Sequence, residues 1–346
     1  MSEYNIERKT PCCIRLGIGL IMTKPLAIIL GPTASGKKAV SVRVAQLLDG
    51  EIISGDSMQV YRRMDIGTAK IKPAEMGGVP HHLIDILEPD AGYSVADFRA
   101  AARQLIDEIT ARGKLPIVVG GTGLYISSLT ASYHFPEEVG RDDEFRNQLR
   151  QRLELEGAEK LHAELAACDP EAAARIHFND HQRLIRALEV YQQSGQPISE
   201  FQRLSREEEA ADYNLAICGL TWRRELLYPR IEQRIDAMIA EGLVEEVQAL
   251  LAAGVPITAQ SMQGLGYRQI TAYLQGKCSP EEAIETLKRD TRRFAKRQYT
   301  WFKRDERIKW YNGEDYLTNN HYPQTEKLAD EMATYIQRAI GRSNWE

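Results

Sequence analysis

Leu26-Ala27-Ile28-Ile29-Leu30-Gly31-Pro32-Thr33-Ala34-Ser35-Gly36-Lys37-Lys38 is the stretch that decides the fold. Its first five residues are wholly apolar, the pattern of a strand covered on both faces by helices. Gly31 to Lys37 then fits G-x-x-x-x-G-K, and Ala39 to Leu48 reads as a helix. A strand, a glycine-rich loop and a helix in that order build a phosphate cradle. The glycines let backbone N–H groups turn inward around phosphate oxygens, the helix N-terminus adds its positive dipole end, and Lys37 adds a full charge. The bare pattern arises by chance; the strand before it and the helix after it make it specific here.

Working outward, Glu51 to Ser54 is a second short strand, Leu115 to Val119 another fully apolar one, and Leu215 to Thr221 one more. Between them, Val95 to Arg112 places Val95, Phe98, Ala102, Leu105, Ile106 and Ile109 on one helical face, and Gly113 ends the run. Strands alternating with helices predict an α/β fold around a central parallel sheet. From Asp142 to about Ser205 the character changes. The chain becomes charged and Ala- and Leu-rich, with Phe145, Leu149 and Leu153 at helical spacing and no strand candidate. This predicts a helical insertion at 133–205 within a core made of 22–132 and 206–315. Leu226 to Ala253, broken after Glu241, and Pro280 to about Phe302 are further long helices. Residues 1–21 read as a disordered extension, since the apolar run Ile14 to Ile21 is too short to cross a bilayer. Residues 316–346 read as a C-terminal tail.

The 346 residues carry 44 Lys and Arg against 49 Asp and Glu, so no global basic field advertises nucleic acid. A local basic face can still bind RNA. The five cysteines include no C-x-x-C pair and their number is odd, which argues against a disulfide framework and points to a reducing cytosol.

Asp56 follows the second strand, at the sheet edge where parallel α/β proteins bind ligands; a turn or helix-capping aspartate is the competing reading. Thr122 occupies the equivalent place in Gly120-Gly121-Thr122-Gly123. The position after Lys37, where a Ser or Thr usually helps hold Mg2+, is Lys38, and a protonated lysine cannot ligate a metal. Thr33 or Ser35 is then the alternative oxygen. His81-His82 invites a metal reading, but adjacent residues do not share a face, so the pair reads as structural.

These motifs resemble one family. The phosphate loop, Ile52-Ile53-Ser54-Gly55-Asp56-Ser57-Met58-Gln59-Val60-Tyr61, Met64-Asp65-Ile66-Gly67-Thr68-Ala69-Lys70 and Pro80-His81-His82-Leu83-Ile84-Asp85 look like the tRNA dimethylallyltransferases. So do Val119-Gly120-Gly121-Thr122-Gly123-Leu124-Tyr125, Asn179 to Glu189, Gly264-Leu265-Gly266-Tyr267 and Arg293 to Phe302. The likeness covers roughly residues 24–312 in order.

The resemblance implies a P-loop-kinase-like core with a helical insertion. It implies transfer of a dimethylallyl group from dimethylallyl diphosphate to N6 of adenosine 37, next to the anticodon of tRNA, by a cytoplasmic, Mg2+-using enzyme expected to be a monomer. Asp56 matches the general base, with Thr122 and Arg224 as catalytic partners and Arg223 as a rival for the second. Gly31, Pro32, Thr33, Ala34, Ser35, Gly36, Lys37 and Lys38 match the diphosphate site. Asp56, Ser57, Met58, Gln59, Thr122, Gln182, Arg183, Leu184, Ile185 and Arg186 match the tRNA contacts.

Without the resemblance, Gln182 to Arg186 reads first as a solvated helix face. The basic run from Lys288 to Lys309, interleaved with Phe294, Tyr299, Trp301 and Phe302, suits RNA, although its aromatics at helical spacing also suit a core. Three function classes therefore compete. They are prenyl transfer to tRNA, small-molecule chemistry at the phosphate loop (a kinase, or prenylation of free adenine nucleotides), and RNA binding without catalysis. The helical insertion and the basic run favour the first.

Overall fold

A computed structural model describes residues 23–130, 140, 142–207, 213–318 and 324–341. The extension expected at 1–21 and the start of the insertion at 131–139 lie outside the described residues. Six strands form one sheet: β1 (Lys24–Leu30), β2 (Gly50–Ser54), β3 (His81–His82), β4 (Leu115–Gly120), β5 (Tyr213–Thr221) and β6 (Lys309–Asn312). Their order is β3-β2-β4-β1-β5-β6, and every pairing is parallel. The apolar runs read from the sequence are the central strands, which need both faces covered. The two edge strands were not foreseen. The short β3 consists of the histidine pair, and His82 Nε2 lies 2.7 Å from the buried Glu51 carboxylate, which Arg112 also binds at 2.8 Å.

Helices α1 (Lys37–Leu47), α2 (Val95–Ala111) and α3 (Gly123–Thr130) connect the first strands. Helix α2 starts where Ser94 and Asp97 form a reciprocal capping box, and it buries Phe98, Ala102, Ile106 and Ile109 against the sheet. The insertion comprises α4 (Asp143–Glu156), α5 (Ala158–Cys168), α6 (Pro170–Arg175), α7 (His181–Ser194) and α8 (Ile198–Glu207). Its apolar residues form a cluster of their own, centred on Leu149, Leu161, Leu165, Leu184 and Ile185. The wholly buried Glu189 is held there by Arg146 at 2.7 Å and Arg186 at 2.6 Å, which meets the need of a buried carboxylate for partners.

After β5 come α9 (Arg224–Ala240), α10 (Leu243–Ala252), α11 (Tyr267–Leu274) and α12 (Pro280–Phe302). The break after Glu241 is Gly242, at φ 103°. Glu246 on α10 accepts hydrogen bonds from the backbone N–H groups of Asp65, Ile66 and Gly67 at 2.8–3.1 Å and from the Tyr267 hydroxyl at 2.7 Å. Gly67 is required there, because a Cβ would sit 2.6 Å from the Tyr267 ring.

The expected C-terminal tail is instead partly a packed helix, α13 (Thr325–Ala339). Leu328, Ala329, Met332, Ala333 and Ile336 lie in the same cluster as Val40 and Val44 of α1, so this helix covers one face of the sheet. Leu161 is fully buried. Leu161→Ala is expected to cost about 2–5 kcal/mol, read as a lower urea midpoint. A midpoint equal to the parent's would show that the Leu149–Leu188 cluster is not what holds the insertion.

Candidate active site

In a parallel sheet all strands end on the same edge, and here the ends of β1, β2, β4 and β5 deliver the phosphate loop, Asp56, Thr122 and Trp222 to it. The loop conformation follows from its residues. Gly31 lies so close to Leu220 that a Cβ would fall 2.9 Å from the Leu220 carbonyl, and Gly36 takes φ 91° to open α1. The loop is then gripped from behind. Trp222 Nε1 donates to Ser35 O at 3.0 Å, Arg230 Nε to Ala34 O at 3.2 Å, and Arg234 Nη1 to Thr33 Oγ1 at 3.3 Å. The Arg230 guanidinium also stacks 4.4 Å over the Trp222 ring.

Lys37 Nζ donates to Pro32 O at 2.8 Å. Burial, reinforced by the neighbouring charge of Arg234 and opposed by that of Asp56, brings the Lys37 amine down to about 8. Burial likewise lowers Arg234. Two desolvated cations beside a glycine-rich loop are costly unless an anion joins them. Sequence reasoning missed Arg230 and Arg234. Their i, i+4 spacing on α9, one turn and two turns after Arg224–Leu226, was the available signal.

The expected cations behave differently. Arg224 lies exposed at the first turn of α9, while Arg223 is bound to Glu314 through Nε at 2.6 Å and through its backbone N–H at 2.8 Å. Lys38 points to the surface, paired with Glu75 at 2.8 Å. Ser35 Oγ is buried without a hydrogen-bond partner.

On the other side of the edge, Asp56 Oδ1 accepts from Met58 N–H at 2.9 Å, and Thr122 Oγ1 accepts from Ser57 N–H at 3.3 Å. Asp56 thus also makes the turn bond of the competing reading, leaving its second oxygen for other work. Gly120 permits this approach, since a Cβ there would meet the Gly55 carbonyl at 2.3 Å. Gln59 is held by Ser54 Oγ at 3.1 Å.

The α7 residues divide. Gln182 and Arg183 are exposed, and Arg186 is half-buried against Glu189. Leu184 and Ile185, the other two residues expected to contact RNA, turn their side chains into the insertion's core, as the 3.6-residue period dictates. On α12 the core reading of the basic, aromatic run holds for part of it, and the rest is exposed. Phe302 is core and Tyr299 bonds the Trp222 backbone at 2.6 Å, whereas Arg293, Lys296, Arg297 and Trp301 are exposed. Lys288 and Arg292 are neutralised by Asp236 and Glu232 of α9.

Lys37 is fully charged below its lowered midpoint of about 8 and loses its proton above it. The affinity for inorganic diphosphate, taken relative to that of a variant without the amine, is therefore expected to fall as pH rises through about 8, by up to about tenfold per pH unit. Isothermal titration calorimetry checks this, with Lys37→Met, which has no titrating amine, as the comparator without that fall. Arg234→Gln, removing a neighbouring charge, moves the fall to higher pH.

A family model described as IPP transferase matches residues 59–305. The chain is 54% identical over 291 residues to a tRNA dimethylallyltransferase of Carboxydothermus hydrogenoformans, covering 84% of this chain and 93% of that one. It is 50% identical to one of Geobacillus thermodenitrificans, over 85% of this chain and 92% of the relative. Among solved structures, the full-length tRNA isopentenylpyrophosphate transferase of Bacillus halodurans superposes with a TM-score of 0.66 at 43% identity, over 91% of this chain and 98% of that one. A eukaryotic dimethylallyltransferase acting on tRNA superposes with a TM-score of 0.77 at 26% identity, over 94% and 81%. With a phosphate cradle, a carboxylate and a helical insertion arranged as they are, and with these likenesses spanning most of its length, the chain belongs to the IPP transferase family.

Proposed function

We propose that this enzyme transfers a dimethylallyl group from dimethylallyl diphosphate to N6 of adenosine 37 in the anticodon loop of tRNA. The observation that carries the reading is the meeting, at one sheet edge, of a phosphate loop flanked by Lys37, Arg230 and Arg234 with the Asp56–Thr122 pair. The electrostatic influence of Asp56 on Lys37 and Arg234 marks the two halves as neighbours.

The chemistry assigns each half a task. The exocyclic amine of adenine is a weak nucleophile and must shed a proton as its nitrogen bonds the allylic carbon. Asp56 accepts that proton through the oxygen not used by Met58. The carbon–oxygen bond to diphosphate breaks as the carbon–nitrogen bond forms, and charge accumulates on the leaving group. Lys37, Arg234 and the loop N–H groups not bonded to Gln298 stabilise that charge, from positions the fold already fixes. Thr122, held by Ser57, orients the reacting groups between the halves.

For Mg2+, the residues fit an ion that arrives on the diphosphate with most of its water shell rather than one in a protein cage. Among the described residues there is no group of three or more His, Cys, Asp or Glu able to hold a metal. The oxygens at hand are Thr33 and the unpartnered Ser35 Oγ, while Lys38 is committed to Glu75. When bound, Mg2+ supplies additional positive charge to the departing diphosphate.

The target base must leave its stack, which an anticodon loop allows at modest cost. Gln182 and Arg183 on α7, and Arg293, Lys296 and Arg297 on α12, are the exposed groups we assign to RNA. The same reading has one chain acting alone in the cytosol. No helix among the described residues is long and apolar enough to cross a membrane.

Purified protein with dimethylallyl diphosphate, Mg2+ and an anticodon stem-loop is expected to yield an RNA heavier by one dimethylallyl group by mass spectrometry. Transfer to AMP but not to the stem-loop would overturn the tRNA assignment. Asp56→Asn is expected to slow transfer about 10²–10⁴-fold while inorganic diphosphate binds nearly as before. Equal losses in both would make Asp56 structural. Lys38→Thr, restoring a hydroxyl after the loop lysine, is expected to lower the Mg2+ concentration at half-maximal activity. An unchanged titration would exclude position 38 from the metal shell.

A further inference from the structure

Beyond Leu30↔Gly120, the last paired residues of β1 and β4, the sheet ladder stops. The two chains that leave it are the phosphate loop and the Gly121–Thr122 turn. They carry the leaving-group half and the acceptor half of the site. One side chain reconnects them. Gln298, on the inner face of α12 and 7% exposed, accepts from Thr33 N–H through Oε1 at 3.0 Å and donates to Gly121 O through Nε2 at 3.0 Å. The amide orientation is settled by its partners, since an N–H can only donate and a carbonyl can only accept.

We infer that Gln298 is a positioning residue for the transfer step, replacing the missing rung between β1 and β4 and fixing the separation of the two reacting halves. The inference rests on the prenyl-transfer reading and deepens it.

Three observations support it. A buried helix face ordinarily carries apolar side chains, and an amide there is costly unless both its ends are bonded, as they are. The fit has no slack: a Cβ on Gly121 would fall 2.3 Å from Gln298 Nε2 and 3.3 Å from Gly31 O. Finally, the chemistry of the bridge needs one donor and one acceptor at full glutamine reach. Asparagine is a methylene short, and an ionised glutamate would set a carboxylate against the Gly121 carbonyl.

A residue that sets the distance between two halves acts on turnover rather than on either binding event. Gln298→Met keeps the volume and removes both bonds. It is expected to lower kcat about 10–100-fold, with the KM values for dimethylallyl diphosphate and for the stem-loop within about threefold of the parent's. Wild-type kcat, or a rise in one KM at constant kcat, would overturn the inference.

Gln298→Glu gives a second reading. Protonated, its carboxyl group can again both accept and donate; ionised, it cannot donate. The ratio of variant to parent activity is therefore expected to rise as pH falls, and a flat ratio would overturn the inference. Amide hydrogen exchange at Thr33 reads the bridge without turnover. It is expected to accelerate about tenfold or more in the Met variant, beyond the acceleration at amides elsewhere in the core that reports any loss of global stability, and exchange unchanged relative to those amides would overturn the inference. This measurement separates failure of the bridge from failure of the prenyl-transfer reading, which an inactive parent enzyme would reveal.

Discussion

Positive charge confined at low hydration is the constraint on which the rest of this structure depends. Lys37 and Arg234 stand close to each other, each only partly open to water, and the fold must hold them in place against their mutual repulsion. It does so with rigid neighbours: a backbone carbonyl for Lys37, a hydroxyl for Arg234, and an indole face for Arg230. The strain of that arrangement is relieved by an anion. In the proposed reaction a leaving group whose charge grows would relieve it most, which would make a binding loop a catalytic one.

The parts of the fold that follow from local rules were legible in the sequence. Continuous apolar runs gave the central strands, because only strands buried on both faces tolerate them. A Ser-x-x-Glu signature with a following proline marks the start of α12, and Gly242 marks the break between α9 and α10. The misses share a cause. His81-His82 and Lys309–Asn312 are edge strands, too short to show a period and recruited by their neighbours' open hydrogen bonds. The amphipathic spacing of α13 was present in the sequence, but its position after a polar stretch at the chain's end made a tail the simpler reading.

For the site, the loop itself was readable because backbone geometry imposes its glycines. Arg230, Arg234 and Gln298 were not, because each reaches the loop from a helix about 200 or more residues away in sequence, and such contacts leave no local pattern. Leu184 and Ile185 show the opposite limit, since their side chains pack in the insertion's core. A matched segment was taken whole, although a helix presents only part of any run to a partner. Lys38, the residue least compatible with an ordinary metal-assisted loop, turns out to be occupied elsewhere. In the proposed reaction the remaining cations of the cradle carry the electrostatic role without it.

Glu246 binds three consecutive backbone N–H groups near residue 66, yet it is synthesised some 180 residues after them. The segment that follows Asp56 therefore lacks this anchor while the chain is still on the ribosome and α10 has not emerged. The phosphate loop waits as long, because Trp222, Arg230, Arg234 and Gln298, which grip it, are also made late. Order of synthesis thus leaves both halves of the site unfinished together, and a nascent chain crowded by tRNA has no complete site until α12 has been made.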